Sequence, residues 1–338
     1  MKRRNKHISL AALSLALLLT LTACGSTQSS SGSEQAPAAK DFYVKVATGQ
    51  SGGTYYPVGI ALAQVYSDKI PGCISSAMAT GGSVDNVGLL RNDEAQIAMI
   101  MSTTARSAHA GTDSFDGNGY SDLRSLCALW ENNCQIIVDK SIQSVEDLAG
   151  KKFVVGANLS GTETDSRSIL SAFGLYYAES DASKNNVEAV YLDYTQGVDA
   201  LKNGQVSGVM NVSKAPASTV TDLLSTGDYH ILSFTEDDIT KISAVNDLYS
   251  AYTIPANTYP NQPEELIVPG YPLLLCASAN MDEDTAYTLV KTLFENCDTL
   301  VAAHSAAGSI NLENAVKGLV VPLHSGAEKY LKEQGALQ

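Results

Sequence analysis

Twice along this chain a short β-rich run ends in a glycine-bearing turn that opens straight into a helical pattern, and the second occurrence repeats the order of the first. The first begins with Tyr43-Val44-Lys45-Val46-Ala47 and the turn Gly49-Gln50-Ser51-Gly52-Gly53-Thr54. A helix follows in which Val58, Ala61, Leu62 and Val65 share one face. Pro57 stands in its first turn, where a missing N–H costs nothing. A strand over 74–79, the turn Thr80-Gly81-Gly82-Ser83, a helix through Leu89 and Leu90 and a strand over 97–101 complete the unit. The plan returns as a strand over 152–156, the turn Leu159-Ser160-Gly161-Thr162, a helix over 163–173, a strand over 187–192, a helix over 197–202 and a strand over 206–210. Strands alternating with helices imply a parallel sheet, which binds ligands beyond the carboxyl ends of its strands. Two βαβαβ units therefore predict two lobes, each with a glycine-rich strand-to-helix turn.

The segment 126–138 joins the units as two apolar runs around the polar break Glu131-Asn132-Asn133, and reads as a crossover. Late in the chain, Tyr252-Thr253-Ile254-Pro255 and Leu273-Leu274-Leu275-Cys276-Ala277 read as strands. A helix from Asp282 carries Leu289, Val290, Leu293, Phe294 and Cys297 on its buried face. A return of this part to the first lobe makes a second crossover, the topology of a hinged binding protein. The expected architecture is α/β and two-lobed with an interlobe ligand cleft, residues 41–131 plus 252–338 forming the first lobe and 132–251 the second.

The amino terminus has a separate job. Lys2, Arg3, Arg4 and Lys6 precede an almost wholly apolar or small stretch over 8–21, too short for the ~20 residues of a spanning helix. It ends in Leu21-Thr22-Ala23-Cys24, which resembles a bacterial lipobox, in which the cysteine is lipidated. Residues 1–23 are expected to be an export signal, Cys24 the lipidation site, and the Ser/Gly/Ala-rich 24–40 a flexible tether. The body is then extracytoplasmic and anchored to the cell membrane by lipid.

Charge narrows the partners. The whole chain carries -14, and the body is more acidic still, because the leader holds cations and no acid. Nucleic acid and anionic membrane surfaces need a basic footprint that is absent here. Five cysteines remain after Cys24, namely Cys73, Cys127, Cys134, Cys276 and Cys297. Their number is odd and no C-x-x-C appears, so free thiols are expected. His109, His230, His304 and His324 lack ligand spacing, so neither a metal site nor a cofactor is expected.

Gly49-Gln50-Ser51-Gly52-Gly53 fits G-x-S-x-G, the nucleophile elbow of α/β-hydrolases, which leaves an enzyme with Ser51 as nucleophile as an alternative. No lysine follows these glycines, so they are not a P-loop. Backbone N–H groups at a helix start attract anions of any kind. Ser51, Thr54, Ser83 and Thr162 can add hydroxyls, Tyr55, Tyr56 and Trp130 can supply walls, and Arg106 or Arg167 is the candidate guanidinium clamp on a carboxylate. No catalytic residue is expected.

These residues resemble the TAXI-type solute receptors of TRAP transporters. The likeness lies in Ala47-Thr48-Gly49-Gln50-Ser51-Gly52-Gly53-Thr54-Tyr55-Tyr56-Pro57, Ala79-Thr80-Gly81-Gly82-Ser83-Val84-Asp85-Asn86 and Ser160-Gly161-Thr162-Glu163. It continues in Thr253-Ile254-Pro255-Ala256-Asn257-Thr258-Tyr259-Pro260, Leu293-Phe294-Glu295-Asn296 and Pro322-Leu323-His324-Ser325-Gly326-Ala327-Glu328-Lys329-Tyr330. The resemblance implies a type II periplasmic-binding-protein-like fold that captures a small anionic solute, an amino acid such as glutamate or an organic acid, and delivers it to a TRAP permease membrane subunit. It implies ligand contacts near Gly52, Gly53, Thr54, Tyr55, Gly82, Ser83, Gly161 and Thr162. Lys214 departs from a Gly-Xaa-Pro turn of the family. The loop Met101-Ser102-Thr103-Thr104-Ala105-Arg106-Ser107 departs from Gln-Ser-Asp, and puts Ser102 and Arg106 among the candidates. A receptor of the same shape that signals without transport is the other alternative.

Overall fold

The computed structural model describes residues 41–337. The expected leader, the tether and Cys24 lie outside the described residues. The first unit consists of β1 (Phe42–Ala47), α1 (Tyr55–Lys69), β2 (Cys73–Met78), α2 (Ser83–Arg91), β3 (Ile97–Met101) and α3 (Ser102–Ala110). After the long strand β4 (Leu123–Asp139) come β5 (Lys152–Val154), α4 (Gly161–Ser171), β6 (Glu188–Val190), α5 (Tyr194–Lys202), β7 (Gly208–Ser213), α6 (Ser218–Ser225) and β8 (Tyr229–Ile231). The chain closes with α7 (Glu236–Val245), β9 (Ser250–Ile254), β10 (Leu266–Ser278), α8 (Glu283–Glu295), α9 (Cys297–Ala303) and α10 (Ser325–Glu333).

The strands form one sheet in the order β2-β1-β3-β10-β4-β7-β5-β6, with β8 beside β4 and β9 beside β10. β1 pairs in parallel with β2 and β3, and β5 in parallel with β6 and β7, as two βαβαβ units require. β4 and β10 run antiparallel through the middle and belong to both halves. Leu273 to Ala277 of β10 pair with β3, whereas Leu266 to Gly270 pair with β9. Asn133 to Val138 of β4 pair with β7. The two halves thus meet where Tyr271 faces Asn132 and Pro272 faces Glu131.

The polar break read as an interruption lies inside one 17-residue strand. Its polar side chains have partners from elsewhere. Asn132 Nδ2 donates to the Tyr55 hydroxyl, Asn133 Oδ1 accepts from Ala215 N at 3.0 Å, and Glu131 pairs with Lys214 at 3.3 Å. Segment 252–268, counted with the first lobe from the sequence, packs in the second half. Ile254, Tyr259 and Val268 share a cluster with Ile137, Val154 and Val209.

Helices cover both faces of the sheet. One core cluster runs continuously from Val58, Leu62 and Leu289 through Trp130 and Tyr271 to Phe153 and Ile169. On the opposite face the core divides into one group around Val87, Leu90 and Ala105 and another around Val198, Leu201 and Leu223. The loop expected after β3 is instead the helix α3, which starts at Ser102 and ends at the left-handed Gly111. Its hydroxyl-rich sequence hides the pattern, yet Ala105 and Ala108, three apart, are wholly buried on its inner face. Helix starts elsewhere follow their acidic residues. Asp282 caps α8 by accepting from Thr285 N, and Thr235 forms a capping box with Asp238 at α7. The five cysteines of the body are free thiols. No helix among the described residues is long and apolar enough to cross a membrane.

Candidate functional site

The carboxyl ends of β1, β2 and β3 face those of β5 and β6 across the junction of the halves, and the glycine-bearing turns meet there. Between them lies a cavity of about 330 Å³, its mouth included. The first half contributes Gly49, Gln50, Gly53, Thr54, Tyr55, Gly81, Gly82 and Met101. The second contributes Ser160, Gly161, Thr162, Tyr194, Val212 and Ser213.

Three helices begin at this cavity: α1 after Thr54, α2 after Gly82 and α4 after Ser160. The first N–H groups of a helix have no partner within it. Here the N–H groups of Thr54, Tyr55, Gly161 and Thr162 donate to no acceptor among the described residues, while Gly53 N and Glu163 N are taken by Gln50 O and Ser160 Oγ. Gly82 has φ of 127° and ψ of -158°, a region essentially reserved for glycine. A side chain there would also meet the Ser160 backbone at 3.3 Å.

The halves are drawn together around the cavity. Tyr194 N donates to Gln50 Oε1 at 2.8 Å, Asp85 N to Leu159 O at 3.1 Å, and Thr54 Oγ1 to Lys214 O at 3.4 Å. Tyr194 also shares a 2.7 Å hydrogen bond with Thr162 Oγ1 and donates to Val212 O at 3.0 Å. Burial pushes the Tyr194 hydroxyl up to about 12 and holds that of Tyr55 well above its usual value, so both stay protonated.

Beneath the cavity lies Asp165, one turn into α4 and wholly buried. Its carboxylate accepts from Thr103 Oγ1 of α3 at 3.1 Å, from the Tyr249 hydroxyl at 2.7 Å and from the Tyr271 hydroxyl of β10. Burial pushes its pKa up to about 7, against the opposing pull of the three hydroxyl donors, and nearby Glu163 adds to the rise. One side chain therefore ties α3, α4 and the shared strand together. No sequence spacing marks it; Asp165 and Tyr271 are 106 positions apart.

Of the residues singled out from sequence, Gly53, Thr54, Tyr55, Gly82, Gly161 and Thr162 line the cavity. Ser51 and Gly52 line a more open groove beside it, with Thr80, Asp193 and Thr195. Ser83 is buried behind Gly82, its hydroxyl accepting from Met101 N at 3.0 Å. Ser102 is buried at the start of α3, and its hydroxyl has no partner among the described residues. Trp130 is core: 2% exposed, it meets Tyr55 edge-on at 6.0 Å, so it supports the wall instead of forming it.

The cations stand apart from the cavity, each held by an acid. Arg106 pairs with Asp247 and Asn246, Arg167 with Glu163 on its own helix at 2.5 Å, and Lys214 with Glu131. Arg106→Ala is expected to change solute affinity less than about fivefold, because an exposed ion pair contributes roughly 0–1 kcal/mol. A calorimetric loss above tenfold would restore Arg106 to the site. Ser51 is exposed and hydrogen-bonds to no histidine among the described residues, and none of these histidines lines the cavity, so no base is placed beside the elbow there. Among the described residues no cluster of His, Cys, Asp or Glu is placed to hold a metal ion.

Gln50, Met101, Tyr194, Val212 and Ser213 were not foreseen as site residues. Gln50 could have been found inside the glycine turn. Tyr194, 144 positions away from it, could not.

Comparison with known proteins places this geometry. A protein from Bordetella bronchiseptica RB50 has the same fold, with a TM-score of 0.52 at 18% identity over 88% of this chain and 89% of its own. The alkanesulfonate-binding protein of Xanthomonas axonopodis pv. citri, bound to MOPS, gives a TM-score of 0.47 at 15% identity over 87% and 85%. The aliphatic sulphonate binding protein of Escherichia coli gives 0.44 at 13% identity over 86% and 78%. The fold class expected from the sequence, α/β and two-lobed of the type II periplasmic-binding-protein kind, is the one found. Residues 46–335 match the NMT1-like family, and the chain belongs to that family.

Proposed function

We propose that this chain is an extracytoplasmic solute receptor that closes two lobes over a small anionic solute and delivers it to a membrane permease of the TRAP type. The observation that carries the reading is the meeting of helix starts from both halves at one cavity, with unpaired N–H groups on each side of the seam. Closure needs a ligand that contacts both halves, because only a ligand with higher affinity for the closed form shifts that equilibrium. The two antiparallel strands β4 and β10 supply the hinge, with its crossovers near Glu131-Asn132 and Tyr271-Pro272.

In this reading Gly53, Thr54, Tyr55, Gly82, Gly161 and Thr162 hold the solute, and lipid on Cys24 holds the protein at the membrane. Native mass spectrometry of the purified chain, followed by thermal-shift screening of small acids, tests the receptor role. A retained anion and a rise in Tm are expected; no binding across a broad panel would end it. Cys24→Ser is expected to move the protein from the membrane fraction to the soluble fraction, and unchanged fractionation would remove the anchor. Co-purification with, and solute uptake through, a TRAP permease distinguishes transport from sensing.

A further inference from the structure

The chemistry of the cavity wall narrows the solute beyond an anion of any kind. None of the residues that line the cavity is an Asp, Glu, Lys, Arg or His. A bound anion therefore meets only dipoles. Each helix start carries roughly +0.5 of an elementary charge, so the three that converge here supply about one to one and a half. That balances one oxyanion. A second would lack a counter-charge, since Arg106, Arg167 and Lys214 are already engaged with acids outside the wall. Buried Asp165, one turn below Gly161, further opposes added negative charge.

An ammonium group fares no better. With no carboxylate on the wall, the α-amino group of an amino acid would be enclosed without an ionic partner, and a buried unpaired charge is strongly disfavoured. The hydroxyls of Thr162, Ser213 and Ser160, which already bond Tyr194, Asn211 and Ala157, offer such a group only the lone pairs of neutral oxygens and no counter-charge. Away from the helix starts the wall presents Met101 and Val212, suited to an apolar body.

We infer that the cleft selects a compact monoanion, with one oxyanion head at the three helix starts and an uncharged body against Met101 and Val212, and that it discriminates against ammonium-bearing and doubly charged solutes. This rests on the receptor reading above, and its test separates the two. The full chain is titrated calorimetrically at pH 7.5 with series of two to six carbons: n-alkanoates, 2-hydroxy acids, alkanesulfonates, the matching 2-amino acids, dicarboxylates and neutral amides. At least one monoanion is expected to bind 30-fold or more tightly than the amino acid and the dicarboxylate of equal length. The carboxylate and sulfonate arms tell which head group is preferred. An amino acid or a dicarboxylate that binds as tightly as the best monoanion overturns the selectivity and leaves the anion receptor standing. Tightest binding by an amide, or silence across every series, overturns both.

Discussion

Gly161→Val should abolish productive closure, lowering affinity for the tightest-binding acid of the panel about a hundredfold, while the ligand-free protein melts within a few degrees of the parent. A Cβ at Gly161 would lie 2.4 Å from Met101 Sδ, 3.0 Å from Thr104 Oγ1 and 3.2 Å from Ser83 Cβ. All three belong to the opposite half. The overlap lies on the seam between the halves, and of the three residues only Met101 belongs to the buried apolar core. Overpacking of this kind costs about 1–3 kcal/mol, and a hundredfold change in affinity corresponds to about 2.7 kcal/mol. Calorimetry reads the affinity, and solution scattering reads whether added solute still compacts the molecule. Parental affinity together with parental compaction would show that the halves close in another way.

The second large effect concerns Asp165. Removing its carboxylate strands the hydroxyls of Thr103, Tyr249 and Tyr271 in a buried space, at about 1–3 kcal/mol for each group left unsatisfied. Asp165→Ala is therefore expected to destabilise the fold by roughly 3–5 kcal/mol, a fall in Tm on the order of 10 °C. A Tm within 2 °C of the parent would mean that the hydroxyls find other partners at no cost.

Asp165→Asn keeps the shape and removes the titration. In the folded protein burial pushes the carboxyl up to about 7, whereas in the unfolded chain it titrates near ~3.9. Between these values the folded form holds a proton that the unfolded form releases. The stability contributed by this group is thus fully present below about pH 4 and is lost as pH rises toward 7. The groups that influence it are Glu163, Tyr249, Tyr271 and Cys134. Denaturant unfolding at pH 4, 5.5 and 7.5 should show the parent losing stability relative to Asp165→Asn across this window. Parallel curves would place the native carboxyl in the ordinary range.

Much of the site was written locally. The strand-to-helix turns at 49–54, 80–83 and 159–162 carry the glycines and hydroxyls that their job requires, and five residues chosen from them, with Tyr55 at the start of α1, line the cavity. The cations show where local reading ends. Arg106 and Arg167 were singled out because an anion attracts positive charge, and Lys214 because it departs from the family's Gly-Xaa-Pro turn, yet each is held by an acid in the fold. Only the Arg167–Glu163 pair, four apart on a helix, has a spacing visible in the chain. Arg106 and Asp247 are 141 positions apart, and Lys214 and Glu131 are 83 apart.

The sequence by itself determined the two alternating units, the position of each glycine turn at a strand end, and the crossover that joins them. These follow from apolar periodicity and turn chemistry, which act over a few residues and leave a trace in order and spacing. The tertiary structure alone decided that the cavity wall carries no ionised side chain, that Tyr194 and Gln50 meet, and that Asp165 ties helices from both halves to the shared strand. Such contacts depend on how the sheet brings distant segments together, and burial then sets which charges are paired and which hydroxyls remain neutral. The periodicity of the chain built the frame for the cavity; the packing of its two halves decided that helix starts, in place of an arginine, face it.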